Sequence, residues 1–285
     1  MPYLDIERVR WNDFRMHLRD HVSRGRPIVV HDTPTMRFAR WDHEYLRRTS
    51  GERVVQMVHF DSQHISYDDK KERTIVRLPV ARYLDWLADP TLMDGVYNLG
   101  RSLIGNYPAL EPDVRFPEAL SRLWARPLAF SQISLWIGKQ GIVSPLHFDT
   151  LHNLNFQIRG HKEWHLFSPR DLAYLYPHAG HSHAAHISRI PDSRQVDARR
   201  YPRFAQATRY RATTRAGEFI FVPYGWFHQV ETVGAENINL NVWWVPQLPV
   251  LLAHWRQSLR GVAVTWHRRG QHPFDRFEAR KRKRA

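Results

Sequence analysis

The sequence predicts a mainly β fold, an antiparallel barrel or sandwich with helices at both ends. Three observations lead there. From about Ala129 the chain breaks into short runs: "LAFSQISLWIG", "GIVSPLHFD", "NLNFQIRG", "HKEWHLFSP", "GEFIFVP", "HQVETV" and "NINLNVWWVP". They are rich in Val, Ile, Phe and Trp and partly alternating, as strands with a buried face are. Gly141, Gly160, Gly217 and Gly225 mark turns between them, so the pattern is not that of βαβ units. Helical spacing is confined to the flanks.

Taken in order, the first forty residues hold a polar helix-like segment and then "GRPIVVHD", a short buried strand. Residues 41–49, 80–88 and 116–125 combine helical spacing with helix formers. The strand-rich stretch follows. It is interrupted between about Ser168 and Tyr210 by a long His- and Arg-rich segment. A connection of that length is usually functional or mobile. After Pro249, Leu252, Trp255, Leu259, Val262 and Trp266 fall at helical spacing. That stripe predicts either a docked C-terminal helix or a dimer contact. No internal repeat is visible. The implied segments are flanking helices and strands over 1–127, a β core over 128–248, a helix over 249–270 and a disordered basic tail over 271–285.

At 285 residues, 42% of them hydrophobic, the chain can bury a sizeable core. It has no cysteine, which excludes disulfides, thiolate nucleophiles and cysteine-ligated metals. The N-terminal "MPYLDIERVRWNDF" lacks the apolar segment of a signal peptide. No apolar run approaches a membrane span. The expectation is a cytoplasmic protein with no membrane partner.

The net charge of +14 is concentrated. Residues 189–215 hold eight Arg and two Asp, and residues 267–285 hold eight Lys or Arg and two acids. These segments are either solvated surface and tail, or they attract an acidic peptide or a nucleic acid.

The stretch "SPLHFDTLHN" places His147 and Asp149 two apart in an apolar run. On a strand they share a face. A buried carboxylate is costly unless paired, and a third ligand would complete a two-His-one-carboxylate set that leaves open positions on Fe(II). "FVPYGWFHQVET" supplies His228 at the head of a later strand. With eighteen His in the chain, an H-x-D alone carries little. The β-rich context and the later His give it weight. His178, His181, His183 and His186 look superficially like a metal cluster, but no carboxylate accompanies them, and they read as a polar loop.

Together "SPLHFDTLHNLNFQIRGHKEWHLFSP", "GEFIFVPYGWFHQVET" and "NINLNVWW" resemble the JmjC, or cupin-like, branch of the Fe(II)/2-oxoglutarate-dependent oxygenases, its asparaginyl hydroxylases above all. The joint pattern is S/T-P-x-H-x-D, an Asn four residues after the Asp, G-x-K, G-[DE]-x-x-x-x-P and W-[FWY]-H. The match is densest over about 128–246.

The resemblance implies a double-stranded β-helix, the jelly-roll barrel of the JmjC family. It implies Fe(II) at His147, Asp149 and His228, with 2-oxoglutarate and O2 as cosubstrates. Lys162 matches the lysine that pairs with the distal carboxylate of 2-oxoglutarate. Ser144 and Tyr97 match hydroxyl residues reaching the same carboxylate, and Ser144 stands where the family has threonine. Asn153 and Asn241 match two asparagines near the metal-bound end, with Trp243 in the adjacent wall. Trp226 and Phe227 read as packing at the barrel rim. The implied reaction is hydroxylation, of a protein or peptide side chain first. A tRNA base, a small molecule, N-demethylation and a cupin-like binding protein without catalysis are the alternatives. The implied assembly is a homodimer.

Overall fold

The computed structural model describes residues 3–60, 73–89, 91, 95–97, 103, 106–124 and 131–271. Two short strands, β1 (Leu4–Asp5) and β2 (Arg8–Arg10), lead into helices α1 (Trp11–Met16) and α2 (Leu18–Ser23). "GRPIVVHD" forms β3 (Ile28–His31). Helix α3 (His43–Ser50) begins where Asp42 accepts the backbone N–H of Tyr45, at 2.7 Å, a side-chain N-cap. Strands β4 (Val54–Phe60), β5 (Arg73–Pro79) and β6 (Gly95–Tyr97) make a separate three-stranded sheet. Helices α4 (Val80–Ala88) and α5 (Glu118–Trp124) complete the N-terminal half. All three helical segments expected there are present.

The larger sheet has nine strands, and the fold is mainly β with few helices. Its second-half strands are β7 (Ser131–Gly138), β8 (His147–Phe148), β9 (His152–Phe167), β10 (Arg209–Arg215), β11 (Phe219–Val222) and β12 (Phe227–Trp244). From the first half β3 joins antiparallel to β11, while β1 beside β10 and β2 beside β3 run parallel and make the sheet mixed. "NLNFQIRG" and "HKEWHLFSP" are one strand, β9, and "HQVETV" and "NINLNVWW" are one strand, β12. Each folds over at a glycine. Gly160 has φ +68°, and a Cβ there would collide with the Glu236 carbonyl oxygen. Gly234 has φ +100°. Only glycine takes such angles without strain. The N-terminal half of β9 pairs with β11 and the end of β12, and its C-terminal half pairs with β10 and the start of β12.

Side-chain alternation divides that sheet. Leu154, Phe156 and Ile158 of β9, Phe219 and Phe221 of β11, and Leu240 and Val242 of β12 join Trp11, Phe14, Trp41 and Tyr83 in one large core. The N-terminal helices are therefore fastened to one face. Buried Asp113 secures them further, accepting hydrogen bonds from Trp41 Nε1 and Tyr45 Oη, both at 2.9 Å, and from Arg40. The alternate residues Asn153, Asn155, Gln157, Asn237, Asn239 and Asn241 turn the other way, and all are buried.

The His- and Arg-rich segment runs from the end of β9 to β10. It is packed down: Leu172, Leu175, Ile190, Tyr201 and Phe204 form a cluster with Leu146, Phe148, Phe167 and Phe227. Strand β10 lies partly inside that segment and was not anticipated, because "RYRATTR" carries no apolar alternation. Helices α6 (Leu248–Ala253) and α7 (Trp255–Gln271) close the chain. Helix α7 docks through Gln257, Gly261 and Val264, which are buried. The predicted stripe points outward instead: Leu252, Trp255, Leu259, Val262 and Trp266 are each more than half exposed. Among the described residues, no helix is long and apolar enough to cross a membrane.

Candidate metal centre

The sheet register builds the site. His147 on β8 and His228 on β12 are directly opposed, 81 positions apart in sequence. Opposed residues of an antiparallel pair share a face, and the imidazole centroids lie 4.4 Å apart. Asp149 stands just past the end of β8. One ligand atom from each of His147, Asp149 and His228 falls within 4.8 Å of the other two. Asp149 Oδ1 is 3.9 Å from His147 Nε2, and its Oδ2 is 3.9 Å from His228 Nε2.

The ring tautomers follow from the partners. His147 Nδ1 lies 2.7 Å from the Pro145 carbonyl and His228 Nδ1 3.0 Å from the Trp226 carbonyl. A carbonyl only accepts, so each Nδ1 carries a hydrogen, and each ring turns its Nε2 toward Asp149. Burial, and next the neighbouring His147, push the His228 imidazole down to about 4. Burial alone would raise the Asp149 carboxyl. His228 and His147, with hydrogen bonds from Trp243 and Asn153, outweigh it and hold the group below the ordinary carboxylate range. Two imidazoles and one carboxylate form a donor set that fits a divalent cation of the Fe(II) class. The His228 side chain is 4% exposed, His147 17% and Asp149 22%, so access is from the His147–Asp149 side.

Asp149 is held from behind. Asn153 Nδ2 and Trp243 Nε1, from directly opposed residues of β9 and β12, each donate to its Oδ2 at 3.0 Å. Asn241 Nδ2 donates to Asn153 Oδ1, also at 3.0 Å. Asn153, Asn241 and Trp243 thus lie together around the Asp149 carboxylate.

Lys162 follows the Gly160 bend and is 3% exposed. Its Nζ donates to the Asn239 carboxamide oxygen. No carboxylate among the described residues pairs with it, and burial drives the amine down to about 7. An isolated buried ammonium is costly, and an anionic partner would offset that cost. Arg159 is turned elsewhere, donating to the Ala39 carbonyl at 2.8 Å and lying 3.7 Å from Asp42.

Ser144 exchanges two hydrogen bonds with Val230: its Oγ accepts the Val230 N–H at 2.9 Å, and its own N–H donates to the Val230 carbonyl at 2.8 Å. Tyr97 ends β6, and its side chain lies outside the described residues. Trp226 donates to the Gly25 carbonyl at 2.8 Å and Phe227 is fully buried, both packing roles. His178, His181, His183 and His186 do not assemble into a metal cluster; among the described residues His147, Asp149 and His228 alone do so.

Asn239 and Asn155 were not anticipated. Their signal was the alternation of amides in "NLNFQ" and "NINLN", polar residues at the period reserved for a buried face.

The cupin-like domain family matches residues 14–248. Human HSPB1-associated protein 1 is 38% identical over 112 residues, 39% of this chain and 23% of that protein. Jumonji C domain-containing protein 5 of Drosophila melanogaster is 28% identical over 206 residues, 72% of this chain and 50% of that protein. Human tRNA wybutosine-synthesizing protein 5 is 26% identical over 268 residues, 86% of this chain and 78% of that protein. The chain thus spans about a quarter of the first relative's length and half of the second's.

Proposed function

We infer that this chain, which belongs to the cupin-like domain family, is an Fe(II)- and 2-oxoglutarate-dependent oxygenase that hydroxylates a protein or peptide side chain. The observation that carries this reading is the His147–Asp149–His228 donor set in a barrel that also buries Lys162, with no carboxylate partner among the described residues. A dicarboxylate bound to the metal needs a cation at its far end, and Lys162 is that cation.

His147 Nε2, Asp149 and His228 Nε2 would hold the iron. Iron loaded with 2-oxoglutarate supplies oxidative decarboxylation by O2, which yields succinate and CO2 and places one oxygen atom in a substrate C–H bond. The chain's own residues orient and exclude. The Pro145 and Trp226 carbonyls fix both ring tautomers. Asn153 and Trp243 occupy Asp149 Oδ2 from one side and set the plane of the carboxylate. Trp164, whose centroid lies 6.0 Å from that of His228, walls the site. Ser144 and Tyr97 are proposed to add hydroxyl contacts to the distal carboxylate, and Asn241 to complete the metal-side wall.

We assign 1–127 to flanking elements, 128–248 to the catalytic core, 249–270 to a homodimer contact and 271–285 to a basic tail. The cysteine-free composition supports a cytoplasmic setting. A second reading, a tRNA-base hydroxylase, is favoured by the arginine-rich segment 189–215 and by the likeness to a tRNA wybutosine-synthesizing protein. The deciding experiment measures succinate release by purified, iron-loaded protein, then screens candidate peptides and tRNA for a gain of one oxygen by mass spectrometry. Absence of any metal-dependent 2-oxoglutarate turnover would overturn the assignment.

A further inference from the structure

Lys162 and Asp149 are the two ends of one hydrogen-bond chain. Lys162 Nζ donates to Asn239 Oδ1. Asn239 Nδ2 donates to Asn241 Oδ1 at 2.5 Å. Asn241 Nδ2 donates to Asn153 Oδ1 at 3.0 Å, and Asn153 Nδ2 donates to Asp149 Oδ2 at 3.0 Å. Asn155 Nδ2 adds a second donor to Asn241 Oδ1 at 3.0 Å. All four amide side chains are at most 4% exposed.

The direction of this chain is forced by its ends. An ammonium has donors only, and a carboxylate accepts only. Each amide must therefore turn its oxygen toward Lys162 and its nitrogen toward Asp149. Three carboxamide dipoles line up so that each favours the cation at one end and the anion at the other. In a low-dielectric interior such a chain is strengthened along its length. Asn239 is its first link, and among the described residues no carboxylate shares the ammonium with it.

We propose that Asn239 is a positioning residue, whose carboxamide holds the Lys162 ammonium ready for a dicarboxylate and ties it through Asn241 and Asn153 to the metal carboxylate. This rests on the oxygenase reading above. Asn239 itself touches neither metal nor cosubstrate in this scheme. It acts through Lys162, by fixing where the ammonium sits.

The test uses the full chain loaded with Mn(II), kept anaerobic and titrated with 2-oxoglutarate by calorimetry. Asn239→Ala should weaken 2-oxoglutarate by roughly tenfold, the loss of one hydrogen bond to a charged group. Mn(II) affinity should change by less than about twofold. In a Lys162→Ala background the same substitution should cost less than about twofold more, because the two residues act as one unit. Asn239→Asp is nearly isosteric but neutralises Lys162 and cannot donate to Asn241. It should therefore weaken 2-oxoglutarate more than the alanine does. A residue that merely fills space predicts the opposite order. If the aspartate variant fails to fold, the alanine pair still decides the matter. Additive losses from Lys162→Ala and Asn239→Ala, or variants that bind 2-oxoglutarate like the wild type, would overturn the inference while leaving the oxygenase reading intact. Wild-type protein that binds Mn(II) but no 2-oxoglutarate would overturn both.

Discussion

Gly261 of the C-terminal helix rests against Thr150, the residue after Asp149. A Cβ at position 261 would stand 3.0 Å from the Thr150 methyl carbon. The contact is reinforced where Tyr224 Oη and Ser258 Oγ lie 3.0 Å apart, and where the Gly225 N–H donates to the Asp149 carbonyl at 3.3 Å. Helix α7 is thus a backstop for the loop that carries Asp149. Gly261→Leu forces the helix off that loop, since packed interiors yield little to added volume. We expect a lower Tm and weaker Mn(II) binding, read by calorimetry. Gly261→Ala asks for a shift of only a few tenths of an ångström and should be mild. A leucine variant with native metal affinity would show that the helix and the loop are independent.

His147→Ala or Asp149→Ala leaves two donors, too few to hold the cation with an open face. Either variant should lose stoichiometric iron and abolish 2-oxoglutarate decarboxylation while remaining folded by circular dichroism. The double variant His181→Ala/His183→Ala should retain iron, because the histidine loop is not part of the donor set. Iron content measured on all three decides which histidines bind.

Lys162→Ala removes a charge-assisted partner worth roughly 1.5–3 kcal/mol, so the KM for 2-oxoglutarate should rise by about one to two orders of magnitude with iron retained. The wild type should also show a pH signature. Its amine sits at about 7 because of burial, below the 10.5 of an exposed lysine. Below pH 7 it is already charged and affinity is full. As pH rises through 7 a proton must be taken up on binding, and affinity should fall by up to about tenfold per unit. Calorimetry in two buffers of different ionisation enthalpy reads that uptake directly. No proton uptake at pH 8 would mean that the lysine is charged before the dicarboxylate arrives.

The sequence made the candidate donors His147 and Asp149 and the strand-rich core legible because both are written locally. His147 and Asp149 are two apart, and the later His228 follows an aromatic turn. The polar interior was harder to read. Asn155 and Asn239 look like ordinary strand amides until β9 and β12 are laid side by side, because their meaning lies in register across some 84 positions. The fold-over of those strands was equally hidden: Gly160 signals a turn, and only the Glu236 carbonyl pressed against it makes it a bend inside one strand. The C-terminal stripe showed a helix but not its orientation. Periodicity marks an apolar face, and here the docked face is the small and polar one of Gln257 and Gly261.

That outward face carries the prediction on assembly. Leu252 of α6 and Trp255, Leu259, Val262 and Trp266 of α7 range from 55% to 77% exposed, and large apolar side chains left in water at helical spacing suit an interaction surface. We expect a homodimer, dissociated by Trp255→Arg or Leu259→Arg. Light scattering on the wild type at micromolar concentration checks it, and a monomer mass would refute it. Because α7 also backs the Asp149 loop, the arginine variants should lose some metal affinity together with the dimer.

The arginine-rich segment bears on the substrate. Of its eight arginines, only Arg194 and Arg211 pair with a carboxylate among the described residues. Arg189, Arg200, Arg203 and Arg209 lie over the rings of Tyr176, Tyr201, Tyr174 and Phe204, which steadies each guanidinium without neutralising it. The segment is fastened beside His228: Gln229 donates to Asp192 at 2.8 Å and accepts the Ser193 N–H at 2.8 Å. Guanidinium groups left without a carboxylate should attract an acidic partner by steering more than by contact energy, and salt should screen it. For an acidic peptide we expect kcat/KM to fall several-fold between about 50 and 200 mM salt. For tRNA the loss should be far steeper, since each neutralised phosphate releases condensed counterion. The basic stretch from Lys281 to Arg284 should matter for RNA and little for a peptide. Measuring the salt slope of the full chain and of a chain ending at Gly270 therefore separates the two substrates. A slope that shallows on truncation points to RNA, and one that does not points to peptide. Turnover flat in salt for both chains would reduce the arginines to solvated surface and make a small neutral metabolite the substrate class to pursue.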